Sequence, residues 1–369
     1  MEKAHKHPCH NQEEHHLSRR DFIKVAGVTA AGIALASCQK APAATKKPRV
    51  AIGQVPDYYD PATIDRVMSE MIDQLGGLGD VVKSGDSVAI KINMTGGLKS
   101  GVIPGVTPIE SFVTHPLVVI TLIKRIKDAG AKDIYIVEAA YEYESFIQWN
   151  FQDVADAIGA KIVNLTDAAP YDDFVDVPVG DNSYHYKTLT MNKLLSEIDV
   201  FMSVSKMKNH YNAGVTHTMK NLYGLVPYRF YRLNQQDTCR SAFHGTAAEI
   251  KNRLPEVIVD VNRARPIHFG LVDGIFTTEA GEGPWIAGIK PIKPHLLIAG
   301  KQALATDAVA TACMGHDPEG DYPSDPWLRG MNYMNIAAKM GLGTNRLADI
   351  EVVGAEIDKV KVQFHGSKD

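Results

Sequence analysis

The chain has 369 residues and a formal net charge of −4, with 45% hydrophobic and 22% charged side chains. That balance belongs to a globular body long enough for one large or two medium domains, and it argues against a general nucleic-acid binder. Cys9, Cys38, Cys239 and Cys313 form no C-x-x-C pair, which excludes an all-cysteine iron–sulfur cluster and a four-thiolate zinc site.

The first feature in chain order is Ser18-Arg19-Arg20-Asp21-Phe22-Ile23-Lys24, followed by a weakly apolar run from Val25 to Ala36 that is short for a membrane span. This segment resembles the twin-arginine export signal, which implies the twin-arginine translocase as a partner and export of a folded protein, often one already loaded with a cofactor. Leu35-Ala36-Ser37-Cys38 resembles a bacterial lipoprotein box. It implies that residues 1–38 form the signal, with Cys38 lipidated after cleavage and the mature protein anchored on the exported side through lipid alone, on either the inner or the outer membrane. The histidines at 5, 7, 10, 15 and 16 precede the cleavage point and have no mature role. Cys239 and Cys313 remain, and read as two separate thiols.

Residues 39–48, QKAPAATKKP, read as a tether, and the body spans 49–369. Short β-branched runs then alternate with helical patterns: RVAIGQV, PATIDRVMSEMIDQL, SVAIKIN, PLVVITLIKRIKDAG, DIYIVEA, FQDVADAIGA and KIVNL. The rhythm predicts an α/β fold, a largely parallel sheet with flanking helices, in one or two lobes. Asp173–Val179 and Tyr184–Thr190 read as a hairpin, Asp199–Ser205 as a strand, and the segment near Thr216 as a helix start with Thr216 as its cap. Thr246–Val261 reads as a helix interrupted near Pro255. Strands are expected at His268–Val272, Leu296–Ala299 and Asp349–Val353, and helices at Asp307–Met314, with Asp307 as cap, and Asn332–Met340.

The densest polar constellation runs from Lys206 to Pro227, KMKNHYNAGVTHTMKNLYGLVP, directly after the apolar strand VFMSVS. Its side chains are expected at the carboxyl end of a sheet strand, where open α/β sheets bind ligands. Lys206, Lys208, Gly214, Thr216, Lys220 and Asn221 are candidates for holding a cofactor, Gly214 because it lets backbone approach closely. His210 and Lys220 suit acid/base and nucleophilic work, and His115 joins them as a catalytic candidate. Asn93 and Glu138 at strand ends, with Asp273 and Glu282 in an acidic glycine-rich region, are candidates for substrate contact. His217 and His244, with His115, His210 and a carboxylate, make a metal site chemically conceivable.

Several of these segments occur together: Lys91-Ile92-Asn93, Thr114-His115-Pro116, the block containing His210 and Lys220, Asp273-Gly274-Ile275 with EAGEGP, and Asp307 leading to Met314-Gly315-His316-Asp317-Pro318. In that order they resemble the family called domain of unknown function 362, over about residues 85–320. More remotely, His210-x-x-Ala213-Gly214-x-Thr216-x-x-x-Lys220 resembles a segment of the nickel-pincer lactate racemases. That likeness implies Lys220 as the attachment point of a nickel-pincer-like nucleotide and His210 as the acid/base. The chain departs from the racemase pattern at Thr218-Met219, at His115 and at Glu138, so a shared fold is expected before a shared reaction.

Two readings result. The first is an exported, lipid-anchored enzyme, isomerase-like or oxidoreductase-like, acting on a small organic anion with an unidentified cofactor or metal. The second is a lipid-tethered binding protein that captures a small anionic molecule without catalysis.

Overall fold

A computed structural model describes residues 46–366. The leader, the lipoprotein box and most of the tether lie outside the described residues. Strands β1 (Arg49–Gln54), β2 (Ser87–Lys91), β3 (Asp133–Glu138) and β4 (Lys161–Asn164) come first in the main sheet. They are joined by β7 (Val200–His210), β9 (Phe269–Glu279), β11 (Leu296–Gly300) and β12 (Glu351–Gly354). The order across the sheet is β12-β1-β11-β9-β7-β2-β3-β4. Neighbours pair in parallel except at β11, which runs antiparallel to both β1 and β9. Two short strands extend the sheet off this path: β8 (Gly214–Thr216) beside β7 and β10 (Lys290–Ile292) beside β9. The expected hairpin is present as β5 (Phe174–Pro178) with β6 (Thr188–Asn192) in a separate two-stranded sheet.

Both faces of the main sheet are covered, as near-continuous apolar strands require. Successive side chains point to opposite faces, so one strand feeds two cores. Ala51 joins the core under helices α1 (Pro61–Gln74), α2 (Pro116–Asp128) and α3 (Phe151–Ile158), while Val50 and Ile52 join that under α4 (Arg253–Ala264), α5 (Ala303–Cys313) and α6 (Tyr333–Lys339). In β7 the even-numbered Val200, Met202 and Val204 face the first core. Among the described residues the body from Lys47 onward is a single compact unit. Among the described residues no helix is long and apolar enough to cross a membrane, and Cys239 and Cys313 are free thiols.

Three expectations are corrected. No helix starts near Thr216: β7 continues to His210, reverses at Gly214 (φ +75°) and returns as β8, and a 3-10 turn over Lys220–Leu225 follows. A side chain at 214 would collide with the Trp327 ring, so the reversal depends on glycine. Thr216 is therefore a strand residue. Helix α4 starts at Arg253 and is continuous, because Pro255 sits in its first turn, where no helical hydrogen bond is lost. Asp307 is not a cap; Gln302 caps α5, accepting from Ala305 N, and Asp307 lies within the helix.

Candidate functional site

At the carboxyl ends of β2, β3 and β7 lies a cavity of about 890 Å³. One wall is the end of β7 with the turn after β8. The other is the loop segment that begins at Asn93, together with Glu282 and Trp285.

The floor is an ion pair. Lys91 Nζ lies 2.8 Å from Glu138 Oε2, and both side chains are buried. Lys91 also donates to the Ile92 carbonyl at 2.7 Å and to Asn221 Oδ1 at 3.3 Å, and Asn93 Nδ2 donates to the same Asn221 oxygen at 2.8 Å. Glu138 additionally accepts from Met94 N at 2.9 Å. Gly224 packs over this pair, and a methyl group there would run into both the Glu138 carboxylate and the Lys91 amine. Asn93, Glu138 and Asn221, expected at the site, thus lie together, and Lys91 joins them. A lysine at the end of the otherwise apolar strand SVAIK was the signal for it.

Lys220 occupies the middle of the cavity lining. Its amine lies 4.4 Å from the Tyr223 ring centroid, and the described residues give it no hydrogen-bond or ion-pair partner. Burial pushes its pKa down to about 7; Lys91 and Arg240 add to the fall, and Glu282 opposes it. Arg240 is also buried and lines the cavity, donating to the carbonyls of Val226 at 2.6 Å and Ala139 at 3.0 Å, with its guanidinium carbon 5.3 Å from the same Tyr223 ring. Among the described residues no carboxylate pairs with it. Nothing local in the sequence announces Arg240, since its position is fixed by carbonyls from two other segments.

His210 stands at the tip of β7 and lines the cavity. Its Nδ1 accepts from the backbone N–H groups of Asn212 and Ala213, each at 3.2 Å. The ring nitrogen that accepts cannot carry the proton, so the neutral imidazole carries it on Nε2. Burial, with Lys220, His244 and Lys208 nearby, holds the pKa well below the ordinary histidine value. In this arrangement His210 offers its Nε2–H as a hydrogen-bond donor. His244 lies in the same lining, its ring centroid 6.4 Å from that of His210, with Nδ1 3.1 Å from Asn212 Nδ2.

Of the other expected residues, Thr216 and Glu282 line the cavity, while Lys206, Lys208, Gly214, His115, His217 and Asp273 do not. Lys206, Lys208 and His210 share one face of β7, but two-residue steps carry them to different depths. Lys206 is sealed against Asp273 Oδ2 at 3.0 Å, Tyr58 Oη at 2.8 Å and the Ile109 carbonyl. Asp273 in turn accepts from Tyr58 Oη at 2.6 Å and from His115 N at 3.0 Å. His115 stacks on Tyr58 with ring centroids 3.7 Å apart and caps α2, its Nδ1 accepting from Leu117 N; burial lowers its pKa to about 4. Lys206, Asp273 and His115 therefore form an internal cluster outside the cavity lining. Lys208 donates to the carbonyls of Phe112 and Glu282 and to Thr95 Oγ1, tying both walls together below the cavity. Gly214 serves the chain reversal. Thr216 and Glu282 do line the cavity, and Glu282 Oε2 is held by Tyr211 N at 2.9 Å.

His217 does not line the cavity. Both its ring nitrogens are buried without a partner, and burial with the nearby His316 lowers its pKa to about 3. Among the described residues no three His, Cys, Asp or Glu side chains converge as metal ligands; of the expected metal residues, His244 lines the cavity and His217 does not. The donor set does not fit a metal ion held by the protein's own side chains. Toward a nickel-pincer-like nucleotide it offers one matching element, the unpartnered amine of Lys220, without a convergent ligand group beside it.

The family model of domain of unknown function 362 (DUF362) matches residues 88–312, and a twin-arginine translocation pathway signal matches residues 16–36. A thylakoid-associated protein of Synechocystis sp. is 25% identical over 262 residues, covering 70% of this chain and 73% of that protein. Two solved structures are similar at low level. A crystal structure of a Thermotoga maritima protein is 12% identical with a TM-score of 0.32, over 69% of this chain and 59% of that one. The lactate racemase apoprotein of Thermoanaerobacterium thermosaccharolyticum is 14% identical with a TM-score of 0.36, over 68% and 54%. The chain thus spans between half and three fifths of those two structures. With the family model covering the sheet strands from β2 to β11 and most of the cavity lining, the chain belongs to the domain of unknown function 362 family and carries a twin-arginine export signal.

Proposed function

We propose that this protein is an exported enzyme, anchored through lipid on Cys38, that acts on a small organic anion with Lys220 at the reacting centre. The observation that carries this reading is the pair of buried cations, Lys220 and Arg240, that line one cavity without a carboxylate partner among the described residues. Burying a charge without a counter-charge is costly, and a ligand anion supplies the missing partner. Lys220 differs from Arg240 in also being able to react, because its depressed pKa leaves much of it as free amine near neutral pH. A purely capturing site would gain nothing from an amine that loses its charge, which favours an enzyme over a binding protein. His210 takes part as a fixed donor from Nε2 toward developing negative charge on the ligand. Glu138, Asn93 and Asn221 hold the floor, and no step runs through a metal ion.

The test is melting of the purified protein against a panel of small mono- and dicarboxylates, with Lys220→Met and Arg240→Gln alongside. A carboxylate that raises the wild-type melting temperature and leaves both variants unmoved supports the reading. Equal shifts in all three proteins, or none in the wild type, would refute it. For the anchor, Cys38→Ser should release exported protein from the membrane fraction; retention would overturn lipidation at Cys38.

A further inference from the structure

We infer that the anion is a 2-oxo acid, and that Lys220 captures its carbonyl carbon as an imine while Arg240 holds its carboxylate and His210 polarises its oxygen. This rests on the reading of the cavity as an anion site and names the substrate class that the three groups together select.

Three features converge on it. Among the described residues the Lys220 amine has no hydrogen-bond or ion-pair partner, yet it is buried in the cavity lining, so no described donor occupies its lone pair. A lysine desolvated beside other cations is the form that attacks carbonyl carbon; here burial and the charges of Lys91 and Arg240 lower its pKa to about 7. His210 is locked as an Nε2 donor by two backbone N–H groups on Nδ1. A fixed neutral donor suits a carbonyl oxygen that gains negative charge during addition. Arg240 is pinned by two carbonyls and has no acid partner among the described residues, and guanidinium matches a carboxylate. Lys220 and Arg240 lie 4.4 and 5.3 Å from the centroid of the same Tyr223 ring and line the same cavity.

The step balances without an added oxidant or reductant. The Nζ lone pair forms a bond to the carbonyl carbon as the C=O π pair moves to oxygen. One proton passes from nitrogen to that oxygen, giving a neutral carbinolamine. The C–O bond then breaks with a second proton, water leaves, and the nitrogen lone pair closes the C=N bond. The resulting iminium draws electrons from the neighbouring carbon, which is the use such an adduct has in catalysis.

The experiment treats the purified lipidated protein with glyoxylate, pyruvate or 2-oxoglutarate and then borohydride, and maps any adduct by peptide mass spectrometry, with thermal shift run in parallel. The expected result is a borohydride-dependent adduct confined to Lys220. With pyruvate, its mass gain equals pyruvic acid less one oxygen. His210→Gln should slow trapping by about tenfold or more. A 2-oxo acid that stabilises the protein but leaves no adduct on Lys220 overturns the imine while leaving the anion site standing. Neither stabilisation nor adduct defeats both. Adducts spread evenly over exposed lysines also overturn the proposal. Because the mapping is made on the wild-type chain, no outcome depends on whether a Lys220 variant folds.

Discussion

Lys91 and Glu138 meet at 2.8 Å on adjacent parallel strands, one register step from each other across β2 and β3, with neither side chain open to solvent. Each is the main reason the other can be buried, since an isolated charge in that position would be strongly disfavoured. Glu138 also fixes the start of the opposite wall through Met94 N, so the pair supports the cavity as well as the sheet. Lys91→Met should therefore cost about 3–5 kcal/mol of stability by leaving the Glu138 carboxylate unpaired. Urea unfolding measures this, and a midpoint equal to wild type would show that the pair is dispensable.

Asp307 accepts from Thr218 N, Thr218 Oγ1, Met219 N and Tyr333 Oη. Burial nevertheless raises its pKa to about 6, against the pull of these hydrogen bonds. The folded protein therefore keeps a proton that the unfolded chain releases between about pH 4 and 6, and this group makes stability fall as pH rises through that window. Asp307→Asn removes the effect. The stability of wild type relative to this variant should drop by roughly 2 kcal/mol from pH 4 to pH 7. Paired denaturation curves across that range check it, and a constant difference would contradict it.

His217 works in the opposite sense. Its folded pKa of about 3 lies below the unfolded value, so the unfolded chain binds a proton that the folded protein refuses. Its contribution is intact above pH 6.5 and is lost as pH falls toward 3. His217→Leu removes two unpartnered nitrogens from the core and should leave stability at pH 7 equal or higher. At pH 5 the variant should exceed wild type by roughly 2 kcal/mol more than at pH 7. A variant as acid-sensitive as wild type would show that His217 is not the titrating group.

The paired arginines of the leader should be needed for export. Replacing Arg19 and Arg20 by lysine keeps the charge and should leave the protein in the cytoplasm, as fractionation would show. Normal export would separate this chain from the twin-arginine route that its matched signal implies.

The parallel strands were legible because burial on both faces forces β-branched runs such as SVAIK and DIYIVE, and the helices between them because a start such as Pro61 and a stop such as Gly130 stand at their ends. The extent of β7 was not. Lysines and a histidine after VFMSVS read as a turn, yet they continue the strand, because Asp273 and the carbonyls of Phe112 and Glu282 satisfy them inside the protein. That hidden length also explains the site. Lys206, Lys208 and His210 seemed to make one cluster, and strand geometry distributes them to a buried ion pair, a wall tie and the cavity itself. Lys220 and Glu138 were found from local sequence. Arg240 was not, for its partners are 14 and 101 residues away.

The pairing of Lys208, Asn209 and His210 with Thr216, Val215 and Gly214 makes one side of the cavity continuous with the hydrogen-bond ladder of the sheet. The opposite side is a loop with two short 3-10 turns and four glycines at positive φ between 96 and 105, closed by a half-exposed Trp285 that packs on Gly96. His210 is thereby mounted on the side of the cavity braced by the ladder, and it faces a wall of loop backbone. Ligands of different length would meet the same donor at the same place, and accommodation of their bulk would fall to the loop and its tryptophan. Changes of ligand preference within such a scaffold are therefore to be sought between residues 95 and 105 and at Trp285, while β7 stays as it is.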